Sequence, residues 1–318
     1  MGSFVSHPSW MGDISDDIPV TALSIPGTHN SGCTGGLFGF AQTQDLDLGD
    51  QLKAGIRFLD IRLSRCEDDL LVYHDMVYMG KNYTDIQNIC ANFLGEYPSE
   101  TILMSIQEES RLDSGLGRFA PSEILGKLSR GVAMNSDRNT RSFEDILKAK
   151  TWDYTANSSL FHNFTASHPD DHSRATTHEF TSETTLGEVR GKIILLRRFE
   201  GSEDAGLDLT YWPENQTFRS ASPPIHDVHD RHQLLREEDK YELVIAHLEE
   251  ARRGDPKDLY ITFSSAVDLT ARGYAKTINP RLNDYLVRSL RGRVGVIAMD
   301  YFEEPPELVS NIINMNHG

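Results

Sequence analysis

The stretch SIPGTHNSG, residues 24–32, ends a short apolar run in a turn that delivers one histidine, His29, held between a Pro-Gly pair and a second glycine. The same arrangement, an apolar run that stops at a reactive side chain, recurs along the chain. Runs rich in Val, Ile and Leu cover residues 20–25, 57–63, 70–73, 101–106, 192–197, 259–263 and 294–299, each bounded by polar residues or turn formers. They are continuous rather than alternating, as strands buried on both faces of a parallel sheet require. Helical patterns lie between several of them, at 44–54, 84–97, 142–150, 236–252 and 280–291, the last opening on Pro280 and followed by Gly292. Strand followed by helix, repeated, predicts an α/β fold with right-handed crossovers and mostly parallel strands.

The reactive residues choose between an open sheet and a barrel. His29 follows the first run, Asp60 and Arg62 lie near the end of the second, and His74 follows the third. Gln107, Glu108 and Glu109 follow the fourth, Arg197 and Arg198 end the fifth, and Asp300 follows the seventh. A (β/α) barrel of the TIM type gathers all of its parallel strand C-termini on one rim, so these separated segments would face one pocket; an open sheet would spread them along a line. The barrel is therefore expected, as a single domain over residues 1–318. Residues 152–180, polar and without period, read as a long excursion before the fifth strand.

Composition narrows the partners. A chain of 318 residues with 38% hydrophobic content can bury a sizeable core, and its formal net charge of -17 argues against nucleic acid, which requires clustered Lys and Arg. A phosphate-bearing ligand would have to be met by specific arginines in a cleft. No run approaches the ~20 apolar residues of a membrane span. Cys33, Cys66 and Cys90 allow at most one disulfide. No secretory signal pattern opens the chain, which fits a mature secreted form or a cytoplasmic one; sequons at Asn82, Asn157, Asn163 and Asn215 would suit secretion.

Two histidines, an arginine and several carboxylates, without an activated serine or a metal-ligand spacing, suit proton transfer around a charged centre. One imidazole can deprotonate a hydroxyl nucleophile, the other can protonate a leaving oxygen, and the guanidinium can offset charge on a phosphoryl group between them. Each residue alone has a plainer use: Asp60 and Arg62, on one strand face, could form a structural ion pair, and Asp300 could cap a helix. Their joint placement after different strands favours the catalytic use. The triplet His226, His229 and His232 is expected in a loop after Pro223-Pro224, without metal. No cofactor or metal is implied.

Seven blocks resemble a known family in order and spacing from about residue 14 to residue 312: SIPGTHNSG (24–32), FLDIR (58–62), VYHD (72–75), PSETILMS (98–105), GKIILLRRF (191–199), YWPEN (211–215) and GVIAMDY (295–301). Together they resemble the bacterial-type phosphatidylinositol-specific phospholipase C. The resemblance implies a distorted barrel and a two-histidine mechanism. His29 would be the base toward the inositol 2-hydroxyl, held by Asp300; Arg62 would stabilise the phosphorane; His74 would protonate the departing diacylglycerol. The product would be inositol 1,2-cyclic phosphate. Glu109, Arg198 and Asp230 match positions that hold the inositol ring.

Relatives that use calcium carry a carboxylate where this chain has Arg62, so the guanidinium is expected to replace the cation. Three departures stand out. Asn30 replaces the aspartate that orients the second histidine, a task its amide or Asp60 would take. Gln107 stands at a lysine position, and His232 at that of a tyrosine covering the ring. Phosphatidylinositol or a glycan-anchored relative is the expected substrate of a monomer touching the membrane transiently, with Leu37, Phe38 and Phe40 either a lipid wedge or a packed loop. The other readings are an inositol-phosphate-binding pseudoenzyme, which Asn30 supports, and a metal-dependent glycerophosphodiesterase, which Arg62 disfavours.

Overall fold

The computed structural model of the chain describes residues 4–35, 41–74, 77–109, 139–155, 160–164, 178–221, 223–233, 236–266, 271–289 and 292–317. The strands are β1 (Ile25–Thr28), β2 (Phe58–Cys66), β3 (Asp69–His74), β4 (Val77–Asn82), β5 (Ile102–Glu108), β6 (Ile193–Arg198), β7 (Leu207–Asp208), β8 (Thr217–Arg219), β9 (His226–His229), β10 (Leu259–Phe263) and β11 (Val296–Met299). The helices are α1 (Leu48–Ala54), α2 (Tyr83–Glu96), α3 (Phe143–Thr155), α4 (Leu186–Val189), α5 (Glu237–Arg253), α6 (Ala271–Arg288) and α7 (Leu308–Asn314).

One sheet runs β7-β6-β5-β2-β1-β11-β10-β9-β8, with β3 and β4 branching from β2. Every neighbour pair from β7 to β9 is parallel, and only β8, β3 and β4 pair antiparallel. The sheet curls into a barrel whose seam stays open, since the described edge strands β7 and β8 do not pair with each other. Continuous apolar runs build it as expected: Ile193 to Leu196, Ile102 to Met104, and Val296 to Met299 are each fully buried.

Glycines set how closely the first turn can be approached. A Cβ on Gly27 would lie 2.8 Å from the Phe58 side chain, and one on Gly32 would lie 2.8 Å from Val72. Only residues without a side chain let β2 and β3 close on both sides of the turn carrying His29.

Several expectations are corrected. Residues 20–25 are not one strand: Val20–Ala22 forms a 3-10 turn, and pairing begins only at Ile25, because the Ser24 N–H is taken by Asn316 Oδ1 at 2.7 Å. The third run is antiparallel to β2, so His74 is not the C-terminus of a parallel strand. Residues 226–229 are not a loop but strand β9, buried throughout and parallel to β10. Pro280 lies inside α6 rather than at its start, since the apolar stripe Tyr274, Ile278, Leu282 and Leu286 carries the helix through it. Asn163 is buried and exchanges hydrogen bonds with the Leu195 backbone, which leaves its sequon inaccessible. The expected apolar segment 37–40 and Asn157 lie outside the described residues, as does most of the 152–180 excursion. All three cysteines are free.

Candidate active site

β1 and β11 end side by side, Thr28 paired with Met299, so His29 and Asp300 leave adjacent strands at the same level. His29 Nδ1 lies 2.9 Å from Asp300 Oδ1, and its ring stands edge-on to Phe263 at the end of β10. Nε2 lies 3.2 Å from Arg62 Nη2. A carboxylate can only accept and a guanidinium can only donate, so the two partners together fix the tautomer: Nδ1 carries the proton and Nε2 presents its lone pair. Gln44 Nε2 binds the carbonyls of both His29 and Met299 at 2.9 Å, locking the two strand ends together.

Arg62, Gln107 and Arg198 form a lateral row across β2, β5 and β6, in one register. Below them Asp60, wholly buried, lies 3.7 Å from Arg62 Nε, accepts from Arg198 Nη1 at 3.4 Å, and accepts the Asn30 N–H at 3.1 Å. Glu109 stands 4.0 Å from Arg62 Nη1. Burial opposes the charge on Arg62, but Asp60, Glu109 and Asp230 outweigh it and raise its pKa above the ordinary guanidinium value. Burial dominates at Arg198, and despite Asp60 its pKa falls to about 10, which leaves it charged at neutral pH. Gln107, expected where the resemblance has a lysine, thus sits between two guanidinium groups, where a third cation would be repelled.

The far wall holds Asp230 and His232. Asp230 Oδ2 accepts from Trp212 Nε1 at 2.8 Å, and His232 Nδ1 lies 3.2 Å from Asp230 Oδ1. Against the cost of burial, His232, Arg198 and the indole N–H hold Asp230 well below the usual carboxylate range. The Arg198 guanidinium stacks 3.7 Å from the centre of the Trp212 ring. Trp212 is the residue that strand-end reasoning missed: it lies in the irregular segment after β7, and only its membership of the YWPEN block signalled it.

His74 arrives by another route. β3 folds back along β2 with Leu63 opposite Val72, and His74 ends β3 opposite Val77 of β4. Its Nδ1 donates to the Ala41 carbonyl at 2.8 Å, so the mobile proton of the imidazolium sits on Nε2. Neither residue expected to orient it does so: Asn30 has no side-chain hydrogen bond among the described residues, and Asp60 is engaged by Arg198 and the Asn30 N–H. The Ala41 segment is itself tied to the centre, because Thr43 bonds the Asn30 carbonyl through Oγ1 and accepts the Tyr301 N–H.

Buried polar atoms without a hydrogen-bond partner among the described residues gather here: both side-chain atoms of Asn30, Gln107 Oε1, Asp300 Oδ2 and Arg198 Nε. Unpaired buried groups cost about 1–3 kcal/mol each, so a polar ligand that supplied their missing partners would relieve that cost. His226 and His229 are held apart from this cleft on β9, and among the described residues no group of His, Cys, Asp and Glu side chains is arranged to hold a metal ion.

The chain is similar in sequence and fold to known proteins. A family model described as phosphatidylinositol-specific phospholipase C, X domain, matches residues 17–117. The 1-phosphatidylinositol phosphodiesterase of Staphylococcus aureus (strain Newman) is 26% identical, over 98% of this chain and 95% of its own length. The enzyme of the same description from Listeria monocytogenes is 25% identical, over 98% and 86%. A crystal structure of the S. aureus phosphatidylinositol-specific phospholipase C superposes with a TM-score of 0.78 at 25% identity, covering 98% of both chains. Over nearly its whole length the chain is thus similar to bacterial phosphatidylinositol-specific phospholipases C, in sequence and in fold.

Proposed function

We propose that the chain cleaves phosphatidylinositol to diacylglycerol and inositol 1,2-cyclic phosphate by general acid–base catalysis between His29 and His74. The observation that carries this reading is the double constraint on His29, whose Nδ1–H faces Asp300 and whose bare Nε2 faces Arg62. Nε2 takes the proton of the inositol 2-hydroxyl as that oxygen attacks phosphorus. The P–O bond to diacylglycerol breaks, and the departing oxygen takes the Nε2 proton of the His74 imidazolium. Arg62 faces the negative charge that builds on the non-bridging oxygens, the task a metal cation performs in other phosphodiesterases. Asp60 positions Arg62 and Arg198, and Asn30 lends its backbone N–H to Asp60. Glu109, Arg198, Asp230 and His232 face the inositol ring, with Gln107 between the two arginines.

Tyr211, 75% exposed next to Trp212, supports brief contact with the lipid surface. The roles are tested with two substrates. Against phosphatidylinositol, His29→Ala and His74→Ala each lose activity. Against an inositol phosphodiester with a nitrophenol leaving group, which needs no proton, His74→Ala recovers most of its loss while His29→Ala does not. Equal losses of both variants on both substrates would contradict the assignment.

A further inference from the structure

Lys240, on α5, is wholly buried behind the wall of the site that carries Asp230. Its Nζ donates to the Arg231 carbonyl at 2.6 Å and to the Phe263 carbonyl at 2.7 Å, and lies 3.4 Å from His229 Nε2. An ammonium can only donate, so His229 Nε2 accepts and its Nδ1–H donates to Thr217 Oγ1 at 2.8 Å, and the ammonium faces three acceptors with its three donors. Lysine is rarely buried completely, because desolvating an ammonium is expensive unless every donor is matched. An apolar side chain would fill the same volume without that cost, so what the lysine supplies is geometry.

The geometry concerns Asp230. The residues on either side of it in the chain, His229 and Arg231, are both held by the Lys240 ammonium, and the third contact anchors them to the end of β10, next to the edge of the His29 ring. Asp230 in turn receives the Trp212 indole, whose face carries Arg198. We propose that Lys240 is a positioning residue for headgroup recognition: its ammonium holds the His229 ring on one side of Asp230 and the Arg231 carbonyl on the other, and so aims the Asp230 carboxylate and the Trp212–Arg198 stack at the inositol ring. This deepens the proposed function and rests on its assignment of that wall to the ring.

The test uses Lys240→Met and Lys240→Gln in the full chain, assayed on phosphatidylinositol in mixed micelles and for inhibition by myo-inositol, with thermal unfolding followed in parallel. Removing the donors from buried carbonyls is expected to raise KM and weaken myo-inositol inhibition together, by roughly tenfold to a hundredfold in Lys240→Met and less in Lys240→Gln, with kcat within about threefold of wild type. If Lys240→Met fails to fold, Lys240→Gln, which keeps a donor for one carbonyl, carries the comparison. A folded variant with wild-type KM and wild-type inhibition, or one that loses kcat alone, would overturn the inference while leaving the proposed function standing. A wild-type chain that turns over no inositol phospholipid would instead sink the proposed function and this inference with it.

Discussion

His29 Nε2 and Arg62 Nη2 lie 3.2 Å apart, so the proposed base and the proposed charge-stabiliser share one contact before substrate arrives. The guanidinium cannot give up a proton, and its pKa is driven higher still by Asp60, Glu109 and Asp230 against the effect of burial. It therefore donates to Nε2 and leaves the other ring nitrogen to Asp300. When a phosphodiester enters, the Arg62 donor turns to a phosphoryl oxygen and the imidazole lone pair is freed for the hydroxyl proton.

Asp300→Asn keeps the shape of the dyad but offers an amide that can donate, which permits the wrong tautomer and removes the charge that favours imidazolium. A loss of roughly 10²–10⁴ in kcat with little change in KM is expected in steady-state assays. An equal loss in both parameters would assign Asp300 to binding instead.

Arg62→Lys retains a charge but not the planar fork that spans His29, Asp60 and Glu109. Rate loss of about 10²–10³ is expected, and exhaustive chelation of the wild-type enzyme should leave its rate unchanged. Wild-type activity that vanishes with chelator and returns with calcium would contradict the assigned role.

Gly27→Ala places a methyl group 2.8 Å from the Phe58 side chain, between β1 and β2. Overpacking at so constrained a position should destabilise the fold by about 1–3 kcal/mol, read from the urea midpoint, and should lower kcat because His29 is two residues away.

Glu303, just past β11, has its carboxyl raised to about 7, first by burial and then by the neighbouring charge of Asp45. A folded pKa above the unfolded one means that the native state holds the extra proton, so the stability it contributes is complete below about pH 4.5 and is lost as pH rises through 7. Glu303→Gln, permanently neutral, should match wild type in thermal unfolding near pH 4.5 and exceed it near pH 8. The same Tm difference at both pH values would remove the proton from the explanation.

Much of this was legible in the sequence because buried parallel strands need unbroken apolar runs, and the residue after each run must sit at the rim. That logic located His29, Asp60, Arg62, Glu109, Arg198 and Asp300. It failed where the chain departs from strand–helix alternation. The third run looks like any other buried strand, yet its short link at Glu67 and Asp68, both with positive φ, turns it antiparallel. β9 was hidden because its four residues, His226 to His229, are mostly polar; their burial depends on partners such as His247 and Thr217 that only folding supplies. The Ala41 carbonyl that orients His74 has no side-chain signature at all. Trp212 reads as an ordinary loop aromatic until Arg198 is seen against its face.

The most direct test of the central reading is a phosphorus NMR time course of the wild-type chain acting on phosphatidylinositol in the presence of chelator. An inositol 1,2-cyclic phosphate resonance should grow first, at a rate the chelator does not alter, with the acyclic phosphate appearing later and more slowly. Acyclic inositol phosphate formed from the outset, or a cyclic signal that depends on added metal, would contradict the assignment of His29, His74 and Arg62.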